Sequence, residues 1–161
     1  MDFNHFLTSY MPDPNIGSKT HFKNMLDQSV LAEQLGYVAV SIPEHHLVNL
    51  LMMPSPLQMA VKISSLTNKM RLSTSVAVLP IHDMRTFAGD VSTADILTEG
   101  RLELGVARGA FAWELDRLGS PIESSKEKFI ESLAVLELLL SKENVSFKGK
   151  YYNFEPITIM P

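Results

Sequence analysis

Short apolar runs that alternate with amphipathic stretches constrain this chain most, because that pattern belongs to parallel strands joined by crossover helices. The runs are "DFNHFLT", "YVAVSI", "MRLSTSVAVLP" and "RLELGVA". The first strand is expected at about Asp2 to Thr8, and after the loop "MPDPNIGS" a helix from about Thr20 to Leu35. That helix offers Phe22, Met25, Leu26, Leu31 and Leu35 as an apolar face and stops at Gly36. Ser55-Pro56 opens a second helix, with Gln58 at capping-box spacing from Ser55. Asp83 is placed to cap a third helix whose Met84, Phe87, Ala88, Val91, Ala94 and Leu97 recur at helical spacing until Glu99-Gly100. Ser124 with Glu127 repeats the capping-box pattern and starts a fourth helix, in which Phe129, Leu133, Leu136 and Leu140 share a face. The tail reads as a hairpin turning at Lys148-Gly149, then one more extended piece, "ITIMP".

This makes four strand-helix units and a hairpin, with no linker, repeat or low-complexity tract to divide them, so residues 1–161 are expected to form a single domain. A complete eightfold α/β barrel needs at least about 200 residues. The expected fold is therefore α/β, of (β/α)8 TIM-barrel type. The chain covers about the first four units, a half barrel plus a β-hairpin.

Composition removes several function classes. There is no cysteine, which rules out disulfides, thiolate metal sites and a cysteine nucleophile. A net charge of -4 with scattered lysines and arginines leaves no basic footprint for nucleic acid or an anionic membrane surface. The start "MDFNHFLTSY" has neither a basic region nor a continuous apolar run, so a cytoplasmic location is expected.

In barrels and open parallel sheets, ligand chemistry gathers at the C-terminal ends of the strands. The unusual residues lie there, in "TSYMP", "EHH", "VLPIHD" and "GVARGAF". Glu44, His45 and His46 read either as a hydrogen-bonded structural group or as a proton-shuttling histidine held by its neighbours. Adjacent residues of an extended chain point to opposite sides, so at most one of the histidines faces a barrel mouth. A zinc site would need further ligands such as His82 and Asp83, and no element carries metal-ligand spacing, so no metal is assigned. In "GVARGA", glycines flank Arg108, whose guanidinium suits a phosphate. Pairing of Arg108 with Glu114 or Asp116 is the alternative. Ser73, Thr74 and Ser75 place hydroxyls in the third strand, where each must bond the backbone or meet a polar ligand.

Read together, "FLTSY", "AEQLGYVAVSIPEHH", "RLSTSVAVLPIHDMRTFAGDVSTADILTEGRLELGVARG" and "YYNFEPITIMP" resemble the luciferase-like monooxygenases, the flavin-dependent family that includes the bacterial luciferase subunits. The resemblance runs in order along essentially the whole chain. It implies a (β/α)8 barrel that binds reduced FMN from a separate reductase and uses oxygen to oxygenate a small organic substrate. The deazaflavin F420 is the secondary alternative, used by some relatives. By matching motifs it implies His45 as the catalytic general base, with Glu44 and His46 positioning it. It also implies Arg108 on the flavin phosphate, and a non-prolyl cis peptide at Ser75 and Val76 beneath the isoalloxazine. Glu44, Ser75, Val76 and Arg108 are thus the cofactor-binding candidates. Where luciferase alpha subunits carry a cysteine before the arginine, this chain has Ala107. The family's further phosphate contacts and lid correspond to sequence beyond Pro161.

Two rival readings stand beside this one. A non-catalytic half barrel would act as a flavin-binding or dimerising module, since exposed edge strands need cover. Its partner would be a second copy or a companion chain, docked through the second and third helices where the family dimerises. A hydrolase using His82-Asp83 and the histidine pair lacks a nucleophile.

Overall fold

A computed structural model describes residues 1–49 and 51–161. In chain order its elements are β1 (Asn4–Phe6), α1 (Ser18–Gln34), β2 (Ala39–Ile42), α2 (Pro56–Ser64), β3 (Arg71–Thr74), β4 (Ala77–Val78), α3 (Met84–Leu97), β5 (Leu102–Glu103), β6 (Val106–Ala107), α4 (Ala112–Arg117), α5 (Ile122–Ser141), β7 (Val145–Lys148) and β8 (Asn153–Ile157). Short 3-10 turns lie at Pro14–Ile16 and Leu79–Ile81. The chain resolves into two units, Met1–Ala77 with Ala94–Gly105, and Val78–Thr93 with Val106–Pro161. No helix among the described residues is long and apolar enough to cross a membrane.

The first unit is a parallel sheet in the order β1-β2-β3-β5. Its register aligns His5 with Val40, Val40 with Leu72, and Leu72 with Leu102. Side chains alternate across a strand, so this row and its i+2 neighbours share one face. On that face Leu7, Val40, Ile42 and Leu72 are sealed from solvent in one cluster with Met25, Ala32, Met59, Ala60, Ile63 and Met70. Full burial of such side chains stabilises the fold by about 1.5 to 3 kcal/mol each. The opposite face carries Asn4, Phe6 and Ser41, and Phe6 remains 55% exposed.

The apolar face expected on α3 is buried at Met84, Phe87, Ala88, Val91 and Ala94, with Leu97 exposed, whereas the faces expected on α1 and α5 hold only in part. In α1 the buried residues are His21, Met25, Ser29 and Ala32, whereas Leu31 and Leu35 are exposed. Ser29 can take a core position because its hydroxyl bonds the Met25 carbonyl at 2.9 Å. The expected start of α2 holds, with Ser55 as N-cap residue and Pro56 in the first turn, but Ser55 makes no side-chain cap bond and the capping box does not form. Asp83 does cap α3, accepting the Arg85 N–H at 3.0 Å. That helix ends as expected at Glu99 and Gly100, both in the left-handed region.

The expected fourth strand is two short pieces, β5 and β6, separated at Gly105. A Cβ on Gly105 would lie 2.2 Å from the Thr74 carbonyl oxygen, so β3 and this segment approach closely only because the residue is glycine. The Gly105 carbonyl also accepts the Thr74 hydroxyl and the Ala77 N–H, each at 2.8 Å.

In the second unit β4 pairs with β6, β7 pairs antiparallel with β8, and α5 packs on the Leu79–Ile81 turn and on β7. The expected Ser124–Glu127 capping box is replaced by an earlier start at Ile122. Ser124 donates to the Pro121 carbonyl, and Glu127 pairs with Lys150. The buried residues of α5 are Ser125, Ser132, Val135, Leu136 and Leu139, not Leu140, which is exposed. The hairpin turn is wider than Lys148-Gly149: the strands pair up to Lys148 and Asn153. Past Ile157 the expected extended piece has no strand assignment.

Two polar anchors hold the loops of the first unit. The Glu33 carboxylate accepts the backbone N–H groups of Asn68, Lys69 and Met70 at 2.9 to 3.0 Å, pinning the entry to β3. Partial burial raises its pKa, but these three N–H donors outweigh that and hold the carboxyl below its ordinary value. The Arg101 guanidinium donates to the carbonyls of Thr98, Met70 and Ser64 and to the Thr67 hydroxyl.

Two outcomes follow. Because the folded Glu33 pKa is depressed, its contribution is complete above the ordinary value of 4.5 and is lost as pH falls through the folded value. Glu33→Gln should therefore be less stable than wild type in urea melts at pH 7, with the difference shrinking below about pH 4. Gly105→Ala should lower stability by about 2 kcal/mol or more, read from the urea midpoint, because the backbone oxygen in its way cannot move without breaking the β3 contact.

Candidate functional site

The residues singled out in the sequence fall in both units. Those in the first unit sit where β2 and β3 end. After Ile42 the chain leaves β2 through buried Pro43 and Glu44, followed by half-buried His45 and His46. The Glu44 side chain is 0% exposed, and its Oε1 lies 2.8 Å from His46 Nε2. A carboxylate removed from water needs a donor, and His46 supplies one from the same side of the extended chain, two residues on. His45 is anchored through its backbone N–H to the Met53 carbonyl at 2.8 Å. The returning loop is pinned further by the Met52 N–H on the Ser9 carbonyl and by the bridge between Tyr10 and Leu51.

At the end of β3 the Ser75–Val76 peptide bond is cis. The Ser75 N–H donates to the Ile42 carbonyl at 2.7 Å, extending the parallel ladder by one bond, and its hydroxyl donates to the Ser41 hydroxyl at 3.2 Å. Ser41 in turn accepts the Asn4 side-chain amide at 2.8 Å. The strand hydroxyls divide as the sequence allowed: Thr74 bonds the backbone, whereas Ser75 joins a polar row with Ser41 and Asn4. Ser41 was not singled out beforehand. The signal was there, a lone hydroxyl in the run "YVAVSI".

In the second unit Arg108 follows β6 and is exposed. Gly109 after it has φ of 86°, and a Cβ there would meet Leu115 at 2.9 Å and Val78 at 3.0 Å. The turn that presents Arg108 therefore requires glycine. It leads into α4, a helix the strand-and-helix pattern did not anticipate, where Trp113 stacks on Phe111 and Arg117 lies over the indole at 5.0 Å. His82 stacks on Phe87 with ring centroids 4.5 Å apart. Asp83 is held by a two-pronged ion pair with Arg85 in addition to its capping bond. The Arg85 hydrogen bond is the main reason its carboxyl lies below the ordinary value. A carboxylate so engaged is a poor partner for a hydrolytic histidine.

Taken separately, the groups of each unit suit different parts of a flavin. An exposed guanidinium suits a phosphate, and the hydroxyls and the carboxylate-imidazole pair at the strand ends suit a polar heterocycle.

The model of the luciferase-like monooxygenase family matches residues 1–161. The oxygenase component of the flavin-dependent trigonelline monooxygenase from Acinetobacter baylyi is 28% identical over 145 residues, 89% of this chain and 40% of that protein. The monooxygenase RslO1 from Streptomyces bottropensis superposes with a TM-score of 0.92 at 25% identity, over 100% of this chain and 49% of that one. The oxygenating constituent of 3,6-diketocamphane monooxygenase from Pseudomonas putida, solved with FMN, superposes with a TM-score of 0.89 at 21% identity, covering 97% and 44%. The chain thus spans about half the length of the relatives it matches. With a family match over its full length and the same parallel α/β architecture, this chain belongs to the luciferase-like monooxygenases, a family of oxidoreductases.

Proposed function

We propose that this chain carries the N-terminal half of a flavin-dependent monooxygenase, the first four units of a (β/α)8 barrel within one luciferase-like domain. Its reaction uses reduced FMN and oxygen to oxygenate a small organic substrate. The observation that carries this reading is the pair of buried Glu44 and half-buried His46 beside His45, at the C-terminal end of a parallel strand. The flavin supplies the electrons that activate oxygen.

The chain's own residues bind, orient and move protons. Arg108 holds the flavin phosphate by charge-assisted hydrogen bonds. Ser75 and Val76, at the end of β3, would contact the flavin ring. Glu44 keeps His46 oriented and so fixes the backbone from which His45 acts as acid and base. FMN is the favoured cofactor because a fold relative was solved with it. F420 is the weaker alternative. A separate reductase delivers the flavin, in keeping with a relative described as an oxygenase component. The protein works in the cytoplasm as a homodimer or with a companion chain, through α2 and α3.

A second reading is favoured by the sheet itself. β1 is an edge strand pairing only with β2 among the described residues, and its own Phe6 is 55% exposed. On this reading the chain is a non-catalytic half barrel that binds flavin or dimerises.

Native mass spectra with and without FMN separate the two. Retained flavin makes monooxygenase assays worthwhile, whereas a flavin-free species places the activity in a longer parent protein. In whichever species turns over, His45→Ala should keep FMN affinity and lower turnover by about 10²- to 10⁴-fold. Unchanged turnover would refute the role. Arg108→Ala should raise the FMN dissociation constant about tenfold or more, measured by flavin fluorescence.

A further inference from the structure

The second unit holds a cleft of about 310 Å³ that none of the residues proposed for flavin chemistry lines. Its walls include Asp83, Arg85, Lys128, Tyr151, Tyr152 and Phe154. That volume is at the lower end of small-molecule sites, about 300 to 1,000 Å³, and suits a single-ring compound.

The cleft is built rather than incidental. The Glu131 carboxylate accepts the backbone N–H groups of Lys150, Tyr151 and Tyr152 at 2.8 to 3.0 Å and so locks the hairpin turn that carries both tyrosines. A Cβ on Gly149 would lie 2.3 Å from Glu131 Oε1, so the clamp needs that glycine. Tyr152 donates its phenolic proton to the His82 carbonyl at 3.1 Å. A phenol has one proton, so the fully buried Ser132 hydroxyl, 3.0 Å away, donates to Tyr152. This wall has its hydrogen bonds satisfied within the protein.

Charge then selects the ligand. Asp83 is matched by Arg85 and by the start of α3. Lys128, half buried in the wall, brings a second cation, which leaves the lining of Asp83, Arg85 and Lys128 one positive charge in excess. Burial holds the Lys128 ammonium below its ordinary pKa, so a bound anion would relieve it. Around this charge Tyr151 and Phe154 present aromatic surface.

We propose that this cleft binds a small aromatic carboxylate, with Lys128 pairing the carboxylate and the rings of Tyr151 and Phe154 flanking the aromatic ring. The inference is argued from this lining alone and does not rest on the assignment of the flavin residues.

The test is benzoate binding to the whole chain by saturation-transfer NMR, with and without FMN. Saturable binding near about 1 mM is expected for so small a ligand. Lys128→Met should weaken it about tenfold through loss of the charge-assisted contact, with an unchanged melting temperature. Tyr151→Leu, a second variant at a different wall, should narrow the preference for benzoate over cyclohexanecarboxylate. No saturation up to about 20 mM, a range well beyond weak specific binding, would overturn the proposal. So would undiminished binding in Lys128→Met, equal affinity for phosphate, or displacement of benzoate by FMN.

Discussion

Everything described in the first unit depends on one face of the parallel sheet being sealed by helices. Because side chains alternate along a strand, a slip of one residue would carry Leu7, Val40, Ile42 and Leu72 out of the core and Asn4 and Ser41 into it. The cost of losing that many buried side chains rivals the entire stability of a domain. The register is therefore held tightly, and with it the heights at which β2 and β3 end. The polar row of Asn4, Ser41 and Ser75 is a consequence of the same alternation, seen from the other face.

Loops are placed by a different means, buried or half-buried ionic groups that collect backbone partners. Glu33 gathers three successive N–H groups ahead of β3, Glu131 does the same at the hairpin turn, and Arg101 gathers carbonyls around the end of α3. Each anchor substitutes for a stretch of secondary structure in satisfying the main chain. The motif "GR" in "GRLELGVARG" thus has a structural explanation in the first arginine, while the second, Arg108, lies exposed at a turn that admits only glycine next to it.

Much of the fold was legible because strand length, apolar content and the stops at Gly36 and Glu99-Gly100 are local properties. The α3 face was legible too, from Met84 to Ala94, but the faces of α1 and α5 were only partly so. Apolar spacing alone put Leu31, Leu35 and Leu140 on those faces, yet they are exposed, and Ser29, Ser125 and Ser132 occupy the core. A helix carbonyl or a neighbouring phenol satisfies each of those hydroxyls, which removes the penalty for burying it. Capping boxes misled for a related reason. Ser55, Ser124 and Glu127 have the spacing, but the pattern leaves open which partner wins, and Glu127 found Lys150. The six-residue helix α4 is too short to show a period.

For the candidate site, the sequence by itself determined the residue types, their order and their position at strand ends, since these follow from alternation and from motif spacing. It also determined that no thiol takes part. Only tertiary structure decided the long-range pairings: Ser75 with Ser41, and the hairpin tyrosines with Glu131 and His82. A hydrogen bond is settled within a few tenths of an ångström, between groups that can lie 34 to 70 residues apart. Local pattern has no access to that distance, because it is set by how the core packs.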